Sequence, residues 1–184
     1  MKPLIRNAKP GDEEGIVYSG IRGWQNTYKH ILPIDYLTEL DTQIPQRKIE
    51  WGLHLQKPEV RLRTFVAEVD QKVVGFATGD SNRHKDLPFD GEIFAIYILK
   101  DYQRGGLGKK LVKALADMFI AKEQNTMVIG ALKENHQARR FYEDLGGEIV
   151  GETVFAVNGI NYPEILYGWR NLEALSKKLA PKAN

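Results

Sequence analysis

Gln103-Arg104-Gly105-Gly106-Leu107-Gly108-Lys109 places three glycines and two cations directly ahead of a stretch in which Leu107, Leu111, Leu115 and Phe119 recur every fourth residue. That recurrence predicts a helix with one buried face. Glycines permit backbone angles and close approaches that a side chain forbids. A helix start offers N–H groups with no intrahelical acceptor, and the positive end of the helix dipole. With Arg104, Lys109 and Lys110 beside it, this stretch is suited to holding an anion, and phosphate is its natural guest. Two familiar phosphate loops do not fit. A Walker A loop needs Gly at Gln103 and Ser or Thr at Lys110. The Rossmann fingerprint needs a third glycine, or a small substitute, where Leu111 stands. The four histidines, His30, His54, His84 and His136, form no pair at helical ligand spacing, so no metal site is expected. The chain has no cysteine, hence neither a disulfide nor a cysteine nucleophile.

The spacing that does fit is Gln/Arg-x-x-Gly-x-Gly/Ala, met by Gln103, Gly106 and Gly108. On a strand-to-helix turn it resembles the pyrophosphate motif of the GNAT superfamily of acetyl-coenzyme A-dependent N-acetyltransferases. A second segment, running from Asn135 through Ala138, Phe141 and Tyr142 to Gly146, resembles the Asn-x-x-Ala-x-x-Phe-Tyr-x-x-x-Gly-Phe stretch of the same superfamily. Its one departure is Gly147, where an aromatic is usual. The resemblance spans roughly Leu4 to Trp169, and these two segments are its specific part.

By that resemblance, the backbone of Ile96, Tyr97 and Ile98 pairs with pantetheine as an added strand. Gln103, Arg104, Gly105, Gly106, Leu107, Gly108 and Lys109 hold the pyrophosphate, and Asn135, Arg139 and Tyr142 face the cofactor. The implied reaction is transfer of the acetyl group of acetyl-CoA to a primary amine in a ternary complex. An alkyl amine of pKa ~10.4 must lose a proton before it attacks a thioester. Glu92 is the candidate base, directly or through water, against the plainer reading of a solvated turn residue. A backbone N–H on the central strand, that of Ile98, is the candidate oxyanion donor. Tyr142 is the candidate acid for the departing thiolate, against a packed aromatic. It stands one residue off the row Ala138, Phe141 and Leu145, expected to be the packing face of its helix. Trp24, Tyr28 and Tyr36 are the candidate acceptor-binding residues, with Trp51, Tyr162, Glu14, Asp35 and Glu39 as further offers. The acceptor expected is a small-molecule amine or polyamine. A protein N-terminal amine, a catalytically degenerate acetyl-CoA sensor and an interaction domain stand as rivals.

The whole chain sets bounds. With 184 residues, 42% hydrophobic and 27% charged, it can bury one substantial core. One N-acetyltransferase-like domain is expected over 1–172, with 173–184 a C-terminal tail. The net charge of +2 comes from interleaved basic and acidic residues, so nucleic acid is not an expected partner. No secretory signal or long apolar run is evident, so a cytoplasmic protein without a membrane span is expected, and a homodimer is left open.

The elements that must position these residues follow from pattern. Glu92 to Leu99 is apolar on both faces in its first half, as in a buried central strand. Leu4–Ala8, Arg61–Val69, Lys72–Thr78 and Thr126–Leu132 read as strands, the middle two joined by a tight turn at Asp70-Gln71. Glu148–Val157 and Ile160–Trp169 form a hairpin over Asn158-Gly159. Helices are expected after an Asp12 cap, over Ile34–Leu40 and Gln46–Gln56, from Leu107, and between an Asn135 cap and a Gly146 stop. Leu172–Leu179 reads as a last helical turn or two, frayed from Ala180 onward. The order β, helices, β, β, β, α, β, α, β, β gives an α/β (α+β) fold. It is a GNAT-like mixed, mostly antiparallel sheet with splayed parallel strands and helices on both faces.

Overall fold

The alternating apolar stretches become strands apart from the helical Arg61 and Leu62, and the row Leu107, Leu111, Leu115 and Phe119 becomes a helix. A computed structural model describes residues 3–181. The chain runs β1 (Leu4–Asn7), α1 (Glu13–Tyr28), α2 (Ile34–Glu39), α3 (Ile44–His54), α4 (Pro58–Leu62), β2 (Thr64–Val69), β3 (Lys72–Ser81) and β4 (Gly91–Ile98). It continues through α5 (Leu107–Ala121), β5 (Met127–Leu132), α6 (His136–Asp144), β6 (Glu148–Val157), β7 (Ile160–Trp169) and α7 (Leu172–Leu179), with 3-10 turns at Leu40–Gln43 and Lys100–Tyr102. The strands form one seven-stranded sheet in the order β1-β2-β3-β4-β5-β7-β6. β4 and β5 run parallel, whereas β1 with β2, β2 with β3, β5 with β7 and β6 with β7 are antiparallel. This is the expected α/β class with a mixed, mostly antiparallel sheet.

Two compact units make up the chain, one of Met1–Thr78 and Ala95–Leu115, the other of Gly79–Phe94 and Ala116–Asn184. All three boundaries fall inside continuous elements, β3, β4 and α5, rather than in a linker. In the first unit Ala8, Ile16, Leu55, Val66 and Phe76 bury together, with Trp51, Val73, Ala95 and Tyr97 packed against them. α1 lies unusually close to the strands. A Cβ on Gly15 would stand 2.5 Å from the Val73 Cβ, and one on Gly23 2.7 Å from the Tyr97 ring. The β2–β3 turn puts Asp70 and Gln71 at φ 49° and 63°, the left-handed pair a tight hairpin needs, here without glycine.

In the second unit β5 and β6 flank β7, and the β6–β7 hairpin turns through Asn158 and Gly159 at φ 49° and 78°. Phe119 of α5 takes the space above Gly91, where an added Cβ would meet its ring at 2.7 Å. Hydrogen-bonded pairing of β4 with β5 covers only Gly91–Ile93 against Met127–Ile129 and then stops, the splay that the family resemblance implied.

Several local expectations need correction. Asp12 does not cap α1 with its side chain, because its carboxylate is held by Arg6 at 2.6 and 2.8 Å and by the Lys9 N–H at 2.8 Å. Arg61 and Leu62, expected to open a strand, instead end the helix Pro58–Leu62, where Pro58 sits in the first turn and its fixed φ suits a helix. α3 starts at Ile44, and β3 runs on to Ser81. From 173 to 179 the chain is not a free tail. Asn171 caps α7 by accepting the Ala174 N–H, and Leu172 and Leu175 are buried. Residues 182–184 lie outside the described part.

Candidate active site

The phosphate-loop candidate belongs to the first unit. After β4 the 3-10 turn leads to Arg104 and Gly106, both left-handed at φ 64° and 81°. The Gln103 side chain donates to the Ile98 carbonyl at 2.9 Å, tying the loop to the end of the strand. Leu107 is buried and anchors the turn, while Arg104, Gly105, Gly106 and Lys109 are exposed. Lys110 is the first helix residue whose N–H finds a carbonyl, that of Gly106 at 3.2 Å. Among the described residues, the backbone N–H groups from Arg104 to Lys109 have no acceptor. A run of free donors with left-handed residues in it, at the head of a helix, is an anion-binding concavity. Just before it, Ile96, Tyr97 and Ile98 are half-buried. The Tyr97 ring is committed to packing on Gly23 and on Phe76, 6.1 Å away, so backbone is what this stretch has to offer a ligand.

The first unit also brings the three acceptor candidates together. The Trp24 ring meets Tyr28 edge-on at 4.9 Å and Tyr36 at 6.1 Å, and all three are half-buried. Trp51, by contrast, packs edge-on against Phe76 in the core, and Glu14 pairs with Lys48 at 3.0 Å.

Glu92 lies in the second unit and is not the solvated turn residue of the plainer reading, being 3% exposed. Both of its oxygens are occupied. Arg83 donates Nη2 to Oε1 at 2.6 Å, and Nε and its own backbone N–H to Oε2 at 3.1 and 2.9 Å. His84 Nε2 stands 3.6 Å from Oε1. The Glu92 hydrogen bonds hold the Arg83 guanidinium above its usual pKa. The same guanidinium lies 4.2 Å from the Phe94 ring centre. Asn82 shapes this connection. Its amide donates to the carbonyls of His84, Leu87 and Phe89, and its Oδ1 accepts the His84 N–H, all between 2.9 and 3.3 Å. The polar run 79–91 looked like plain loop in sequence, and nothing there marked Asn82 or Arg83.

On α6 the Asn135 cap is as expected, Oδ1 accepting the Ala138 N–H at 3.1 Å. Its amide N–H groups donate to no described residue. Tyr142 is on the buried row with Leu145, and Phe141 is the half-exposed one, the reverse of the expected packing face. The Tyr142 ring lies 5.7 Å from Tyr167 and 6.2 Å from Trp169. Arg139 donates to the Tyr167 hydroxyl at 3.0 Å and to the Lys133 carbonyl at 2.9 Å. Tyr167 in turn donates to Glu143 at 2.7 Å. Burial keeps its phenol above the usual pKa while Arg139 opposes, so it stays protonated at neutral pH. Gly147 is explained as well: a Cβ there would strike the Trp169 ring at 2.6 Å, so an aromatic from β7 fills the space.

Comparison with known proteins identifies the family. Residues 23–147 match the model of the acetyltransferase (GNAT) family. The chain is 32% identical over 177 residues to YuaI of Bacillus subtilis (strain 168), an uncharacterised N-acetyltransferase, covering 95% of this chain and 97% of that one. An N-acetyltransferase structure from Staphylococcus aureus Mu50 superposes with a TM-score of 0.67 at 21% identity, over 94% of this chain and 99% of that one. The PaiA N-acetyltransferase of Thermoplasma acidophilum, solved with coenzyme A, gives 0.65 at 17% identity, over 90% and 98%. This chain belongs to the acetyltransferase (GNAT) family and is an acetyl-CoA-dependent N-acetyltransferase.

Proposed function

We propose that the enzyme transfers the acetyl group of acetyl-CoA to a primary amine of a small molecule or polyamine, by direct attack in a ternary complex. The observation that carries the cofactor half is the run of unpartnered N–H groups from Arg104 to Lys109, with Arg104 and Gly106 left-handed. These groups hold the pyrophosphate, with the Arg104 and Lys109 side chains adding charge. The backbone of Ile96, Tyr97 and Ile98 receives the pantetheine, and the Ile98 N–H supports the oxygen of the tetrahedral intermediate. The Asn135 amide, which donates to no described residue, is a further donor to the cofactor. Arg139, already committed to Tyr167 and Lys133, contributes chiefly by fixing α6.

Chemistry needs an acceptor for the ammonium proton and a donor for the thiolate. Tyr142 supplies the second. The first falls to the carboxylates grouped with Arg83 and His84, among them Glu92. Trp24, Tyr28 and Tyr36 favour a compact cationic acceptor, since the faces of clustered aromatic rings attract an ammonium group. Asp35, in the first turn of α2, adds negative charge nearby in sequence. The test is thiol release from acetyl-CoA across a panel of diamines, triamines, amino-acid amides, an aminoglycoside and a peptide with a free N-terminus. Turnover of the small amines is expected. Turnover of the peptide alone would overturn the small-molecule acceptor.

No helix of the described residues is long and apolar enough to cross a membrane.

A further inference from the structure

A second carboxylate stands beside Glu92 and differs from it in every respect that matters to proton transfer. Glu164 pairs across β7 with Leu132 of β5 and with Thr153 of β6. Its side chain lies over Gly130 so closely that a Cβ on that glycine would collide with the Glu164 carboxyl. Gly130 is the first β5 residue past Ile129, where pairing with β4 ends. The carboxylate therefore sits beside the point where the pairing of β5 with β4 ends. It is half-buried, and no described residue donates a hydrogen bond to it. Glu92, by comparison, has both oxygens occupied by Arg83.

We propose that Glu164 is the residue that takes the proton from the acceptor amine, and that Glu92 is a positioning residue that holds Arg83 beside it. This rests on the acetyl-transfer reading above. In the step, the amine nitrogen bonds to the acetyl carbonyl carbon, and the carbon–sulfur bond breaks with its electron pair going to coenzyme A sulfur. The nitrogen's proton passes to Glu164, and the sulfur takes one from Tyr142. The ion pair holds the Arg83 guanidinium and the Glu92 carboxylate in place beside Glu164.

Burial lifts the Glu164 carboxyl above the ordinary carboxylate range; His84 and Arg83 pull it down, and the Glu92 charge pushes it up. Those are the titratable groups beside it from the β3–β4 connection and from β4. β5 and β6 present Gly130, Leu132 and Thr153, which do not titrate. A carboxylate shifted upward is a stronger base than a solvated one. Sequence alone hid it, because Glu164 follows Pro163 as one polar residue in a strand otherwise read for its apolar run.

The test compares Glu164→Gln and Glu92→Gln with wild type, using the best amine of the panel. If Glu164 accepts the proton, Glu164→Gln lowers kcat about a hundredfold or more at pH 7 with acetyl-CoA affinity unchanged. Its rate should recover as pH rises toward the amine's own pKa. Glu92→Gln should lower kcat less and move the acid limb of the profile, because it changes the charge beside Glu164. A Glu164→Gln enzyme within threefold of wild type would overturn the proposal. So would an effect confined to the KM for the amine, which would make Glu164 an acceptor-binding group. In either case wild-type turnover leaves the acetyl-transfer reading standing. That reading fails separately, if wild type releases no thiol with any amine. Circular dichroism and Tm check that both variants fold, and a 13C-carboxyl titration of Glu164 reads its raised pKa without any acceptor: a titration at the ordinary Glu value would also overturn the proposal.

Discussion

Replacing Arg83 with methionine tests whether Glu92 is held as an ion pair or kept free for chemistry. Two unit charges about 4 Å apart at an effective dielectric near 20 attract by about 4 kcal/mol. The Glu92 side chain is 4% exposed but that of Arg83 is 65% exposed, so solvent screens much of this. About 2 kcal/mol is a fair expectation for the pair, in the range of charge-assisted hydrogen bonds. Arg83→Met should therefore lower stability by about 2 kcal/mol, or Tm by about 4–8 °C for a chain of this length. Urea unfolding of Arg83→Met, Glu92→Gln and the double variant at pH 7 completes a cycle. The double variant should be less destabilised than the sum of the singles, because each single change strands one member of the pair. Additive effects, or a loss under about 0.5 kcal/mol for Arg83→Met, would show that the pair contributes nothing and would return Glu92 to the role of unattached base.

Gly108→Val should weaken acetyl-CoA binding by tenfold or more in calorimetric titration while the protein stays folded, since a branched side chain would stand where backbone approaches phosphate. Tyr142→Phe should leave Tm and coenzyme A affinity near wild type yet slow turnover about a hundredfold to ten-thousandfold in a stopped assay, as expected for loss of an acid. Asn82→Ala should cost about 1–3 kcal/mol in urea unfolding, because the carbonyls of His84, Leu87 and Phe89 lose their donor. Asp12→Ala should cost about 1.5–3 kcal/mol by the same measurement, because Arg6 keeps its pair with Glu68 at 2.7 Å but loses two charge-assisted hydrogen bonds, and the Lys9 N–H loses its acceptor.

How much of this was legible in sequence depended on whether the signal was local. The phosphate loop was, because its glycines act through their own backbone angles: Gly106 at φ 81° is what the motif demands. The Asn158-Gly159 hairpin and the Asn135 cap were legible for the same reason. The packing face of α6 was not. Whether Phe141 or Tyr142 turns inward is decided by Tyr167 and Trp169, which arrive from β7 far along the chain. Asp12 looked like a cap because its neighbours fit a helix start, yet Arg6 from β1 holds its carboxylate. Likewise the commitment of Glu92 to Arg83, and the freedom of Glu164, are facts of strand pairing and of the Asn82-braced connection. Pattern within a segment carries no trace of them.

The most direct test of the central claim is mass spectrometry of the amine recovered after incubation with acetyl-CoA and enzyme. A small amine or polyamine one acetyl group heavier, formed with one equivalent of coenzyme A and abolished by Gly108→Val under limiting acetyl-CoA, is the result expected. Coenzyme A release with every amine recovered unmodified would mean hydrolysis rather than transfer, and would contradict the account.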